Sequence, residues 1–382
     1  MKTIEVVAVM MKSITVALSV LIICGCAHEP FESVVFKAGE EGYDTYRIPA
    51  LVSAPDGTLL AFAEGRRNGA GDAGNIDLIM KRSTDDGKTW GPIEMIWDDA
   101  DNTCGNPAPV FDERMDRLLL IMTWNLGSDT ESMINTGRSA DTRRVFLTYS
   151  DDMGSSWSEP RELTSQLKNP SWTWFATGPC HALVKKHAPH KGRIIVPCNY
   201  NDAPVDGGAG PSYSFAVYSD DGGETWHAGT SAETGGNEST VAELNDGSLL
   251  LNMRNWSRAG DKTLRRLALS RDGGASWSET FYADSLYEPI CQGSMLSRKG
   301  TLLFSNPHSG RGRTDMTIST SCDGGKTWHP TLPIHSGMSA YSDLTTLSNG
   351  DIGLLYEYGD DSRSYTGIRF RYVGWKEIKH MN

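Results

Sequence analysis

Positive charge is scarce in this chain: 36 Lys and Arg stand against 48 Asp and Glu among 382 residues, a formal net charge of −12. That balance argues against nucleic acid as a partner, because phosphate backbones require a basic face. An anionic small ligand would need a local cationic pocket in an acidic protein. Cysteine is also scarce, with seven residues. Past Cys26, the five that remain (Cys104, Cys180, Cys198, Cys291 and Cys322) are odd in number and form no CxxC pair. Neither a disulfide framework nor a zinc site is expected, and most read as small buried hydrophobes. The nine histidines show no ligand-like grouping, so no metal and no cofactor is implied. Linkers, low-complexity tracts and long helical periods are missing as well, which favours one domain although the length would allow two or three.

The apolar run from Ile14 to Cys24 is shorter than the about 20 residues a membrane span takes. With Lys12 ahead of it, it has the size of a signal-peptide core, and Met10 and Met11 offer starts later than Met1. It closes on Ile23-Cys24-Gly25-Cys26, which resembles a bacterial lipobox. The expectation is a signal peptide over residues 1–25 and lipidation of Cys26, with ordinary cleavage near Ala27 as the alternative. Residues 27–382 would then be exported, to the periplasm, outer membrane or cell surface, touching a membrane only through that anchor.

Glycine, by contrast, is abundant: 40 residues, against a usual share of about 7%. With frequent Trp and Tyr it points to many short strands joined by tight turns. One turn recurs five times, starting at Ser83, Ser150, Ser219, Ser270 and Ser321. The first copy is Ser83-Thr84-Asp85-Asp86-Gly87-Lys88-Thr89-Trp90. The same frame is carried by Asp152, Gly154, Ser156 and Trp157, by Asp221, Gly223, Thr225 and Trp226, by Asp272, Gly274, Ser276 and Trp277, and by Asp323, Gly325, Thr327 and Trp328. Asp opens such a turn by bonding backbone two residues on, Gly supplies the positive φ, and Trp packs between sheets. The starts lie 67, 69, 51 and 51 residues apart, room for four short strands each. The expected fold is all-β: a single-domain, six-bladed β-propeller. The sixth blade would run from about Pro330 onward and be closed by Ser33-Val34-Val35-Phe36 pairing beside Thr366 to Val373.

Charged residues inside apolar strands need partners. Arg47, Arg254 and Arg313 occur in different repeat intervals, each in a strand or at its edge. Taken singly, each fits a rim salt bridge; taken together, they fit convergence on one carboxylate, whose oxygens match the planar guanidinium fork.

The repeated turns resemble the Asp-box of sialidases, a motif that also occurs in other glycosidases and in propellers that are not enzymes. A more specific resemblance lies in Tyr46-Arg47-Ile48-Pro49, Asp72-Ala73-Gly74-Asn75-Ile76-Asp77, Asn237-Glu238-Ser239, Asn252-Met253-Arg254, Phe304-Ser305-Asn306-Pro307 and Ala340-Tyr341-Ser342-Asp343-Leu344. In this order, and over roughly Glu32 to Trp375, the chain resembles the bacterial exo-sialidases of glycoside hydrolase family 33. The resemblance implies that Arg47, Arg254 and Arg313 hold the carboxylate of sialic acid, with Arg311 competing for the third place, and that Glu357 braces Arg47. It implies Tyr341 as nucleophile, Glu238 as its base and Asp72, in a Gly-rich loop, as general acid/base. Asp77 is the alternative acid, although the Leu78-Met80 alternation puts it in a strand. Arg66 or Arg67, Gln292, and Trp124 or Phe175 are further pocket candidates.

The implied activity is release of terminal sialic acid from glycoproteins, glycolipids and oligosaccharides by a monomeric, retaining enzyme. The alternatives are a sialic-acid-binding propeller without turnover, and an intramolecular trans-sialidase forming an anhydro product.

Overall fold

The computed structural model describes residues 29–256, 263–310 and 312–379. The expected signal peptide and Cys26 lie outside the described residues, as does Arg311.

The fold is all-β. After β1 (Phe31–Lys37) come antiparallel meanders of four strands. The first is β2 (Thr45–Ser53), β3 (Leu59–Arg66), β4 (Ile76–Ser83) and β5 (Glu94–Trp97). The second is β6 (Thr103–Asp112), β7 (Arg117–Asn125), β8 (Arg144–Ser150) and β9 (Arg161–Glu162), with the helical turns α1 (Glu131–Asn135) and α2 (Thr164–Leu167) in its loops. In the third, β10 (Trp174–Thr177) and the short β11 (Leu183–Val184) both pair with β12 (Ile194–Asn201), which is followed by β13 (Ser212–Ser219) and β14 (His227–Ala228).

The fourth is β15 (Gly236–Glu243), β16 (Leu249–Asn255), β17 (Leu264–Ser270) and β18 (Phe281–Tyr287). The long strand β22 (His329–Thr346) then serves twice. Its first half completes β19 (Ser294–Arg298), β20 (Thr301–Pro307) and β21 (Thr314–Ser321). Its second half opens a meander with β23 (Ile352–Asp360) and β24 (Arg363–Val373), ahead of α3 (Trp375–Lys379). β1 pairs antiparallel with β24, so the first strand of the chain completes the last meander, as the sequence led us to expect. Among the described residues no helix is long and apolar enough to cross a membrane.

Each repeated turn joins the third strand of a meander to its fourth, and its bonding differs from the expectation in one respect. In the first copy the carboxylate of Asp85 accepts from the backbone N–H of Thr89, four residues on, and from the Thr89 hydroxyl. Ser83 Oγ donates to Asp85 and accepts from the Gly87 N–H, a role for the leading serine that the motif had not shown. The other four copies repeat these bonds. The glycines lie at φ 83–96°, where a side chain is strained, and a Cβ on Gly87 would stand 2.2 Å from the Phe370 ring.

Apolar faces of successive meanders pack on each other. One cluster takes Leu119, Ile121 and Val145 from the second meander and Phe175, Phe215 and Trp226 from the third. Trp226 and Trp328 are buried, each with its indole N–H bonded to the carbonyl of the box glycine. The first strands of the meanders also pack together: β2 against β6 and β22, β15 against β19, and β19 against β22. Four cysteines are buried thiols and Cys322 is exposed; all five are free.

Candidate active site

Four of the first strands, β2, β6, β15 and β22, slip once in their pairing with the second strand of the meander, whereas β10 and β19 pair without a slip. The slips fall between Arg47 and Ala50 in β2, Gly105 and Ala108 in β6, Gly236 and Ser239 in β15, and Ser339 and Ser342 in β22. A bulge puts a residue out of alternation and re-aims its side chain. The displaced stretches hold Ile48, Asn106, Glu238 and Tyr341, all of which line one cleft. Ile48 and Asn106 have φ of 60° and 53°, costly for a β-branched residue above all. Each precedes a proline, which has no N–H to offer the ladder.

Arg47, Arg254, Arg313, Arg66, Asp72, Glu238 and Tyr341 all reach this cleft. Tyr341 Oη donates to Glu238 Oε1 at 2.5 Å. Arg254 Nη1 donates to the other oxygen of Glu238 at 2.5 Å and to Tyr341 Oη at 3.3 Å. Burial and the adjacent Glu238 carboxylate push the Tyr341 phenol well above its ordinary range, and Arg254, Arg313 and Arg47 only partly oppose them. The resting phenol is therefore neutral. The Arg47 guanidinium lies 5.0 Å from the centre of the Tyr341 ring and 4.1 Å from that of Tyr365. Arg313 comes within 5.5 Å of the Tyr341 ring centre. Among the described residues its donors go to Ile290 O at 2.7 Å and Tyr365 Oη at 3.3 Å rather than to a carboxylate.

Glu357 sits behind the cleft, fully buried. One oxygen accepts from Arg47 Nε at 2.9 Å and from the Ile48 N–H at 2.8 Å, and the other from the Tyr341 N–H at 3.1 Å. One carboxylate thus ties the bulge that presents Arg47 to the bulge that presents Tyr341. Asp72 rides on the loop between β3 and β4 with its side chain 66% exposed. Arg66 pins that loop, donating to the Ala70 and Gly71 carbonyls and to Asp72 Oδ1 at 2.7 Å, while Glu64 anchors Arg66 from the other side. Partial burial opposes ionisation of Asp72, but the guanidiniums of Arg66 and Arg47 prevail and hold its carboxyl below the usual range.

Several sequence candidates fall elsewhere. Gln292 does not line the cleft: it is buried, and its amide donates to the carbonyls of Pro179 and Ser342 and accepts from the Ser342 N–H. It braces the strand carrying Tyr341. Phe175 is wholly within the core. Trp124 is bonded to Asp99, and Arg67 turns to Asp77, which also accepts from Tyr43. Asp77 is thus a buried brace, in keeping with its strand alternation.

The cleft also contains residues that sequence reasoning passed over. Arg143 lies against the Trp174 ring at 4.2 Å and donates to Asn125, Asn106 and Thr123. Burial lowers it to about 10. Burial also raises the pKa of Glu131. Asn199 is buried in the wall with both amide atoms lacking a protein partner. The one signal for Arg143 was its charge at the head of an apolar strand; nothing local marks Glu131 or Asn199. Five guanidiniums line the cleft against four carboxyls, so an acidic protein presents a cationic pocket.

The BNR repeat-like domain family matches residues 57–354. A sialidase of Micromonospora viridifaciens is 32% identical over 87% of this chain and 52% of its own length, and sialidase-3 of Homo sapiens is 30% identical over 91% and 93%. The chain spans about half of the Micromonospora protein and under two thirds of a Bacteroides fragilis sialidase that it also matches. Among solved structures, the Hadza microbial sialidase Hz136 superposes with a TM-score of 0.79 at 32% identity, covering 91% of this chain and 69% of that one. With these matches spread along the same strands that carry the cleft, the chain belongs to the sialidase family of BNR-repeat proteins.

Proposed function

We propose that this chain is an exo-α-sialidase that releases terminal sialic acid from glycans with retention of configuration. The observation that carries the reading is the Tyr341–Glu238 pair set among Arg47, Arg254 and Arg313. The anomeric carbon of sialic acid bears a carboxylate, which the three guanidiniums suit in charge and shape. An anionic nucleophile would be repelled there, whereas a neutral phenol approaches without that penalty. Glu238, already bonded to the phenol, takes its proton as the oxygen attacks. Asp72 protonates the departing oxygen and then draws a proton from the incoming water; two displacements at one carbon give retention. Asp72 is held anionic in the free protein, so it takes up a proton from solvent as substrate binds. The incoming carboxylate offsets the Arg47 charge and so lifts the pKa of Asp72.

The strand pairing supports a six-bladed β-propeller in which each four-stranded meander is a blade and β22 is shared by the last two. The site then lies where the first strands meet. The lipobox-like segment supports export and anchoring through Cys26. Loss of labelled-palmitate incorporation in Cys26→Ser would agree with it; unchanged labelling would end it.

The enzymatic reading is tested by release of a fluorogenic sialoside. Tyr341→Phe, which keeps the ring and removes the attacking oxygen, is expected to lower kcat at least about 10³-fold, as loss of a nucleophile does. Binding of sialyllactose by the unaltered protein without any turnover would replace the enzyme by a lectin-like propeller. Appearance of an anhydro sugar as the product would replace the hydrolase by a trans-sialidase.

A further inference from the structure

Ile290 lies at φ 56°, a left-handed conformation that is costly for a β-branched residue. Its carbonyl is the acceptor of Arg313 Nη2 at 2.7 Å. Such a conformation persists only where its surroundings over-determine it. Here the constraint is an ion pair between Arg265 in β17 and Glu288 just past β18, both side chains wholly out of solvent. Glu288 Oε1 accepts from the Cys291 N–H at 3.1 Å, and Arg265 Nη1 donates to the Cys291 carbonyl at 2.7 Å. Both backbone polar groups of the residue after Ile290 are thereby fixed. Cys291 itself packs with Ile48, Ala340 and Tyr341.

The same pair reaches a second arginine. Glu288 Oε2 accepts from Arg265 Nη1 at 3.0 Å and from the Asn255 N–H at 2.8 Å, next in the chain to Arg254. Arg265 Nε donates to Asn252 Oδ1 at 2.8 Å, on the other side of Arg254 along β16. Arg254 is thus flanked by two fixed points at the end of its strand. Burying an ion pair is weak ground for stability, since apolar residues of similar volume often do as well. Apolar residues could not, however, accept two backbone N–H groups and donate to a backbone carbonyl. Glu357 acts in a corresponding way for Arg47, accepting the N–H of another left-handed isoleucine, Ile48.

We propose that Arg265 and Glu288 are a positioning pair: they fix where Arg254 and Arg313 point, and so set the strength with which the cleft holds the carboxylate of sialic acid. Neither residue lines the cleft. They act through the Asn255 N–H for one guanidinium and through the backbone of Cys291 and Ile290 for the other. This rests on the sialidase reading above and adds to it the device that keeps two of the three guanidiniums in register.

The test is a ratio of two dissociation constants, measured by titration calorimetry on the full chain: that of the methyl ester of didehydro sialic acid over that of the free acid. The two ligands share a ring and differ in the carboxylate charge, so the ratio reads what the guanidiniums add. In Glu288→Gln, which keeps shape and removes the charge, the ratio is expected to fall about tenfold, the loss of about one charge-assisted hydrogen bond. Glu288→Asp covers the case in which that variant does not fold. It keeps a charge beside Arg265, but its shorter arm cannot span the Asn255 and Cys291 N–H groups together, and the ratio should fall about threefold or more. A merely structural pair would lower the urea midpoint and leave the ratio alone; an unchanged ratio in either folded variant would overturn the proposal. Equal affinity of the unaltered chain for acid and ester would instead remove the carboxylate-binding triad, and the sialidase reading with it.

Discussion

Glu357→Gln isolates the brace behind the cleft. The substitution keeps shape and volume, removes a charge and exchanges one acceptor for a donor pair. With its oxygen toward Arg47 and Ile48, the amide nitrogen faces the Tyr341 N–H, donor against donor; flipped, it abandons the 2.9 and 2.8 Å bonds instead. Either way at least one buried donor goes unpaired, and among the described residues the buried Arg47 cation keeps only Asp72 at 3.7 Å as a counter-charge, on an exposed carboxylate. Removing one partner of a buried ion pair costs about 3–5 kcal/mol; since one acceptor survives here, the lower end of about 3 kcal/mol is expected. Set against the roughly 5–15 kcal/mol of a typical domain, the variant still folds. Urea denaturation should show the midpoint displaced downward with the slope unchanged. In the same preparation kcat/KM should fall at least about tenfold, because both the Arg47 and Tyr341 bulges lose an anchor. A loss below about 1 kcal/mol, with kcat/KM within about twofold of the original, would show that Arg47 and Tyr341 are held by their own strands and that the brace is incidental.

Asp72→Ala should slow cleavage of poor alkoxide leaving groups about 10²–10⁴-fold while sparing good phenolic ones, measured as a leaving-group series; equal losses across the series would remove the acid role. If substrate lifts the Asp72 pKa, the upper pH limb of kcat must lie above that of kcat/KM, since the first reports the complex and the second the free protein; coincident limbs would refute the coupling. The box aspartates give a stability signature. Asp152, Asp221 and Asp323 sit at about 2, held down chiefly by hydroxyl and backbone donors. A depressed folded value means their contribution is full above the unfolded pKa of about 3.9 and is lost as pH falls toward 2. The urea midpoint should drop through that window, and Asp152→Asn should flatten the drop; an unaltered slope would show that the boxes do not govern it.

The sequence made the turns legible because they are local. Ser, Asp, Gly and Trp stand within eight residues, and each bond they make stays inside that span or reaches one neighbour. The pairing of β1 with β24 was legible from strand pattern and the shortage of a last strand. The triad arginines and Tyr341 were legible as charges and a phenol in motifs, but of the four bulges only two left a trace, Ile48-Pro49 and Asn106-Pro107, prolines inside apolar strands. Arg66 and Arg67 illustrate the limit. Neighbours on an extended chain point to opposite sides, so strand phase decides which one enters the cleft, and that phase is set by the pairing of Thr45 with Arg66. Gln292 and Phe175 show the same limit: their motifs adjoin site residues, while their side chains face the strand beneath and the core. Glu131, Arg143 and Asn199 reach one wall from different strands and loops, a juxtaposition only long-range packing creates.

The partners of the three triad arginines show how the charges of the proposed mechanism balance. Arg47 has a permanent counter-charge in buried Glu357, and Arg313 has neutral oxygens among the described residues. Arg254 has Glu238, whose second oxygen holds the Tyr341 proton. When that proton crosses to Glu238, the carboxylate becomes neutral and Arg254 loses its counter-charge at the moment the phenolate forms beside it. The freed cation is 3.3 Å from the phenol oxygen and next to the bound carboxylate. One proton transfer therefore creates the nucleophile and releases the cation that stabilises it, without any side chain having to move far. Arg254→Lys keeps the charge but replaces the planar guanidinium, whose Nη1 donates to both Glu238 and the phenol oxygen, by a shorter, freely rotating ammonium that does not fix those two directions. It should therefore reduce kcat more than it raises KM.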